Sequence, residues 1–115
     1  MPFRPSESSL PLTPIAFEIL LALIEEDRHG YAILQAVELR VKGRLPLRTG
    51  TLYRALARLV EDGFIVELET DDSQDSRRRV YRISKRGRAL ARAEAERLAD
   101  QVAAARARKL VPGRS

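Results

Sequence analysis

The side chains best suited to chemistry in this sequence are arginines, and they gather in two places. The first is Thr49 to Asp62 (TGTLYRALARLVED), whose spacing predicts a helix. Leu52, Leu56, Leu59 and Val60, with Tyr53 at the edge, share one face. Thr51, Arg54, Ala55, Arg58 and Asp62 share the other. The apolar stripe must dock on a core. The polar face carries small residues, arginines one turn apart, and acids (Glu61, Asp62) only at its C-terminal end. Such a face can approach phosphates and base edges without presenting a carboxylate. A merely solvated surface is the plainer alternative.

The second place is a charge boundary. Glu61, Asp62, Glu67, Glu69, Asp71, Asp72 and Asp75 come with no basic residue among them, and Arg77, Arg78, Arg79, Arg82, Lys85, Arg86 and Arg88 follow with no acid among them. Cross-strand pairing with Glu67 or Glu69 absorbs some of these arginines, for little energy each at a surface. Consecutive residues of a strand alternate faces, so at least one of Arg77, Arg78 and Arg79 must point away from the body. Guanidinium groups there suit phosphates bidentately, or a narrow minor groove.

Other chemistries lack their parts. There is no cysteine, a single histidine, and no Gly-rich phosphate loop, and the serines cluster in the tails or at turns, with no base at usable spacing. An enzyme is therefore the weakest reading, with no cofactor and no metal expected. His29, at a corner, reads as a turn or phosphate-contact residue rather than a metal ligand. The net charge of +5 argues for a polyanionic partner. RNA-binding modules usually display aromatics for base stacking, which are scarce here. A protein-interaction module with a charged hairpin remains the main rival to DNA binding.

The elements that must position these residues can be read in order. Residues 1–11, rich in Pro and Ser, form an expected flexible arm with no apolar leader run. No segment is long and apolar enough to span a bilayer, so a soluble, cytoplasmic protein is expected. Thr13 and Pro14 start a first helix to about Glu26, apolar nearly all round, which needs cover on more than one side. A second subunit is the expected source of that cover. A second helix spans about Gly30 to Val41, burying Ile33, Leu34, Val37 and Val41. Thr49 is expected to cap the arginine-bearing helix and Gly63 to end it. Phe64 to Thr70 and Arg77 to Ile83 read as two strands joined by a polar tip. A last helix starts at Ser84 and reaches about Lys109, roughly 37 Å long. Leu90, Leu98 and Val102 draw its apolar seam, with Glu94, Glu96, Arg97, Asp100 and Arg106 outside. A seam on so long a helix is usually there for a partner. The expected class is mostly α with a small β-hairpin: a winged helix-turn-helix over residues 12–83, a dimerisation helix over 84–110, and a tail over 111–115.

His29-Gly30-Tyr31-Ala32-Ile33, Gly50-Thr51-Leu52-Tyr53-Arg54-Ala55-Leu56, Arg58-Leu59 and Asp62-Gly63-Phe64-Ile65 together resemble the PadR family of bacterial transcriptional regulators. Arg78-Arg79-Val80-Tyr81-Arg82-Ile83-Ser84 with Gly87 is similar to that family's wing exit and last helix. The likeness runs from about Leu12 to Leu110. Val80 stands where many members carry a second aromatic, and Arg54 where many carry Pro. The resemblance implies a homodimer, joined through the last helix and assisted by the first, on a pseudo-palindromic operator in double-stranded DNA, usually as a repressor. It places Tyr31, Thr49, Thr51, Tyr53 and Arg54 at the DNA face, to which the polar stripe adds Arg58, and Arg77, Arg78 and Arg79 on the wing. The tyrosine ring at 53 is expected to pack while its hydroxyl reaches a phosphate. Ile15, Phe17 and Ile19 of the first helix and Leu90, Leu98 and Val102 of the last form the expected dimer interface. A small aromatic effector is a further implied partner, though there is no Trp and Phe17 is the only aromatic on the first helix.

Overall fold

The computed structural model describes residues 10–68 and 79–112. Residues 1–9 of the expected arm, the hairpin tip, Arg77, Arg78 and the end of the tail lie outside the described residues. The elements run α1 (Pro14–Glu25), β1 (Arg28–His29), α2 (Gly30–Val41), α3 (Thr49–Glu61), β2 (Ile65–Leu68), β3 (Val80–Ile83) and α4 (Lys85–Ala107). The sheet is antiparallel, in the order β1-β3-β2. Its third strand is a departure from the expected two. The corner at Arg28–His29 extends and pairs with Tyr81 and Val80. A two-stranded ribbon is marginal alone, and this short strand fastens it to the start of α2. The Gly30 N–H adds a bond to the Arg79 carbonyl at 3.2 Å.

Local chemistry sets the helix ends. Thr13 Oγ1 accepts from the Ala16 N–H at 3.2 Å, and Pro14 occupies the first turn, where a missing N–H loses nothing. Gly63 takes φ +80 after α3, a conformation that favours glycine. Ser84 Oγ accepts from the Gly87 N–H at 3.0 Å and donates to the Gly63 carbonyl at 2.7 Å, so one hydroxyl caps α4 and holds it to the end of α3. Gly87 then sits under the Phe64 carbonyl. A Cβ there would collide with that oxygen and lie 2.8 Å from Ile83 Cγ1.

Helix α1 is the hub, packed by α2, α3, α4 and β3. Ile19, Leu20 and Leu23 meet Ile33, Val37, Leu52, Leu56, Ile65, Tyr81, Ile83 and Leu90 in one core. Burying each large side chain of this kind contributes roughly 1.5–3 kcal/mol. The chain's own elements thus supply most of the cover that the sequence led us to expect from a second subunit. Two expected interface residues are corrected by this packing. Ile19 and Leu90 are both 0% exposed and belong to the protomer's own core, because α1 and α4 pack against each other within one chain.

Glu94 is the other correction. Expected outside, it is 2% exposed, one turn beyond Leu90 and Ala91 on the stripe that α4 turns inward. The burial is tolerable because Arg97 reaches back with two bonds, Nε to Oε1 at 2.7 Å and Nη2 to Oε2 at 2.9 Å. These bonds hold the Glu94 carboxyl below the ordinary glutamate range against the opposing effect of burial, and the Leu12 N–H adds to the lowering. The last turns of α4 run past this contact. Val102 is exposed there, and Leu98 is half-buried.

Candidate nucleic-acid interface

Helix α3 buries Leu52, Leu56 and Leu59, with Thr51, Tyr53, Ala55 and Val60 half-buried at the margins of that face. Its exposed ridge is Gly50, Arg54, Ala57 and Glu61, at i, i+4, i+7 and i+11, flanked by Thr49 and Arg58. Ala57 and Glu61 therefore replace Ala55 and Asp62 along the centre of the expected face. Thr51 and Ala55 are half-buried, because the polar stripe is rotated slightly from the sequence reading. Glu61 lies at the far end, about 16 Å along the axis from Gly50. The N-terminal half of the ridge carries no acid.

The start of α3 is open. Arg48 occupies the N-cap with no side-chain bond, and the first turn has no acidic residue. Thr49 lies inside the helix instead of capping it, a further departure from expectation. Uncapped N–H groups at a helix start favour anions, including phosphate. Arg48 itself is exposed and was not singled out from the sequence. Its signal was present in the Arg-Thr-Gly step entering the helix, read one residue out of register. Helix α2 starts in the same way, with His29 at an N-cap that makes no side-chain bond and no acid in the first turn.

The cations of the interface differ in their partners. Arg54 has no carboxylate near it among the described residues; its Nη2 donates to Thr51 Oγ1 at 3.4 Å. Arg58 leans back on Asp62 at 3.5 Å. Arg79, expected as a wing contact, lies 3.0 Å from Glu67 across the strand pair. Arg82, in the same basic run, grips Asp27 through Nη2 at 2.8 Å and Nε at 3.1 Å. The basic run is thus partly neutralised once β3 lies between β1 and β2, by Glu67 of the acidic stretch and by Asp27 before β1.

Tyr31 is 53% exposed on the first turn of α2. The Gly30–Arg79 bond brings it close to the base of the hairpin. Tyr53 behaves otherwise: its ring is half-buried and its hydroxyl oxygen is enclosed, so the expected reach to a phosphate is not made. It faces Tyr81, whose hydroxyl is pushed up by burial first and then by the Glu67 carboxylate, with Arg79 acting in the opposite sense. Of the expected dimer residues, Ile15, Phe17 and Leu98 are half-buried and Val102 is 41% exposed.

Among the described residues no group of His, Cys, Asp and Glu could hold a metal ion, and no helix is long and apolar enough to cross a membrane.

Comparison with known proteins agrees with this architecture. A transcriptional regulator from Clostridium thermocellum is 28% identical, with a TM-score of 0.67 over 85% of this chain and 90% of that one. A PadR family transcription regulator from Clostridium difficile is 25% identical, with a TM-score of 0.62 over 78% of this chain and 94% of that one. Bacillus subtilis PadR, solved in complex with operator DNA, shares the fold at 19% identity, with a TM-score of 0.60 over 76% of this chain and 48% of that one. An uncharacterised protein of Lysinibacillus sphaericus is 34% identical over 71 residues, which cover 62% of this chain and 65% of that protein's length. The sequence profile of the transcriptional regulator PadR-like family matches residues 19–93, from the core of α1 through the buried turns of α4. Since the matched span contains the open helix start, the exposed ridge and the strands beside it, the chain belongs to the PadR-like family of transcriptional regulators.

Proposed function

We propose that this protein binds double-stranded DNA as a homodimer and acts as a repressor on a pseudo-palindromic operator. The observation that carries the reading is the N-terminal half of α3: an uncapped helix start, no acid, and Arg54 with no opposing carboxylate among the described residues. In a two-fold dimer, two such ridges enter successive major grooves about 34 Å apart. Bacillus subtilis PadR, which shares the fold, was solved in complex with operator DNA, and that supports the DNA-binding reading. Tyr31 and the hairpin base flank the ridge and suit the adjoining phosphates, with Arg77 and Arg78 as the further wing contacts.

The homodimer reading rests on uncovered apolar surface. Val102 and Leu110 on or just beyond α4, and Ile24 and Leu39 at a groove between α1 and α2, are all exposed. A second copy is the partner this apolar surface suits, and the groove is bordered by the Glu18–Arg40 and Glu25–Arg28 ion pairs. Since α4 carries part of this surface, a small aromatic effector seated at the seam would act by changing the separation of the two ridges. A transcriptional role places the protein in the cytoplasm.

The test is duplex affinity against salt. Binding should weaken steeply, with a log–log slope of about −0.9 per phosphate contacted. Protection of a segment of the protein's own upstream region in a footprint would supply the operator. No binding to any duplex at low salt would favour the protein-interaction module instead.

A further inference from the structure

Glu94 is the last residue of α4 to be buried, after Gly87, Leu90 and Ala91. An apolar side chain would continue that stripe, and a buried ion pair often stabilises a fold no better than apolar packing in its place. Stability alone therefore does not account for a carboxylate there. What the pair adds is direction. Apolar burial is non-directional and lets surfaces slide, whereas fixed hydrogen bonds select one arrangement.

The carboxylate is held from two sides. Arg97 grips both oxygens, at 2.7 and 2.9 Å, and its Nη1 reaches on to Gln101 Oε1 at 3.1 Å, one turn farther out. From outside the helix, the Leu12 N–H donates to the same carboxylate. The next residue, Thr13, caps α1 through the Ala16 N–H. Two consecutive residues thus join the start of α1 to the middle of α4, and Leu12 itself packs against the core.

Beyond this joint α4 has little support within the protomer, for residues 99–104 are all exposed. From Glu94 to its end at Ala107 the helix is roughly 20 Å long. Tilting a rod of that length by about 10° at its root moves the far end by roughly 3.5 Å, close to one base-pair step of B-DNA. The two readers of a two-fold dimer must match a set half-site separation. The direction of the rod therefore becomes a property of the DNA site that the dimer accepts.

We propose that Glu94, held by Arg97 and by the Leu12 N–H, is a positioning residue that fixes the direction in which the outer half of α4 leaves the protomer, and through it the half-site spacing that the dimer tolerates. The inference rests on the homodimeric DNA-binding reading above and adds to it a determinant of spacing that lies away from the DNA surface.

The experiment uses the full chain and a duplex selected by the wild-type protein from a random library. Further duplexes carry one or two base pairs more or fewer between the half-sites. Affinity for a single half-site and the melting temperature of each protein are measured alongside. Wild type should lose at least about tenfold in affinity on a change of spacing, because both ridges then cannot engage together. Glu94→Met combined with Arg97→Met removes the joint and fills its space with apolar atoms, which preserves the fold. This protein should bind a single half-site as wild type does, yet lose only about threefold or less on the same change of spacing. Leu12→Pro, which deletes the N–H, should behave likewise, whereas Leu12→Ala, which keeps it, should retain the wild-type penalty. Both Leu12 variants leave the ion pair in place, so they decide the question should the double variant not fold. A double variant with the wild-type melting temperature and the wild-type spacing penalty overturns the proposal. So does equal flattening by Leu12→Ala and Leu12→Pro, since leucine packing and not the N–H would then hold α4. A wild-type protein that selects no duplex, or only a single half-site, removes the homodimer reading itself and the inference with it.

Discussion

Arg79 Nε lies 3.0 Å from Glu67 Oε1, so the one expected wing arginine among the described residues is matched to a carboxylate of β2. The pair runs diagonally across the Leu68–Val80 step of the β2–β3 register, since Glu67 itself faces Tyr81. Both side chains are about one-third exposed, and such a pair contributes under about 1 kcal/mol to folding. Its consequence for a polyanion is larger, because Arg79 must share or exchange that carboxylate to meet a phosphate.

Glu67→Gln should therefore tighten duplex binding several-fold at low salt. The salt slope should steepen by about 0.9, as for one added phosphate contact. Fluorescence anisotropy at several salt concentrations measures both. An unchanged slope would mean that Arg79 does not touch the backbone.

Gly87→Ala tests the joint between α3, the sheet and α4. The added methyl collides with the Phe64 carbonyl oxygen, and main chain cannot swing aside as a flexible side chain does. We expect a loss of about 3 kcal/mol, at the upper end of overpacking effects. Chemical denaturation measures it; a loss below about 1 kcal/mol would show that α4 can slide on the sheet.

The Glu94–Arg97 pair predicts an acid limb in stability. The folded carboxyl titrates below its ordinary value of 4.5, held down first by the Arg97 hydrogen bonds, so the unfolded chain takes up its proton first as pH falls. The stability this supplies is fully present above about 4.5 and is lost as pH drops through the folded value. Arg97→Ala removes the main cause of the lowering and leaves burial to push the carboxyl up. It should lower the stability of the protein at neutral pH, because Glu94 is left buried without its main partner. Its melting temperature should also fall less on going from neutral to acidic buffer than that of the wild type. Parallel declines in the two proteins would separate Glu94 from the acid response.

Val102→Glu separates dimerisation from folding, since Val102 is exposed on the single chain and its replacement leaves the core intact. Sedimentation should give a folded monomer with operator binding reduced by at least tenfold, because each half-site is then held by one ridge. A stable dimer carrying this change would rule out the last turns of α4 as the seam. Leu98→Glu is a poorer test, because Leu98 is half-buried and its loss can act through packing.

The helices, their order and the family were legible in the chain because they rest on local rules. Period-3.6 apolar spacing marked α3 to within a residue of its end, and Thr13 and Ser84 perform the capping that their positions implied. The Gly-Thr-Leu-Tyr and Asp-Gly-Phe segments identified the family whose profile spans residues 19–93.

What only the tertiary structure decided depends on contacts between distant segments. No periodicity marks Arg28–His29 as a strand; those two residues extend because β3 offers an unpaired edge. Glu94 reads as a surface acid until α1 and the chain before it close over α4 and Arg97 neutralises it. The same closure takes Ile19 and Leu90 from the expected seam into the protomer's core. Which arginines meet a carboxylate, Arg79 and Arg82 but not Arg54 among the described residues, was settled by strand register and helix packing. Helical periodicity is a property of neighbours along the chain, whereas burial and ion pairing belong to neighbours in space. The chain could therefore announce its elements, and only their packing could choose which of its charges face outward.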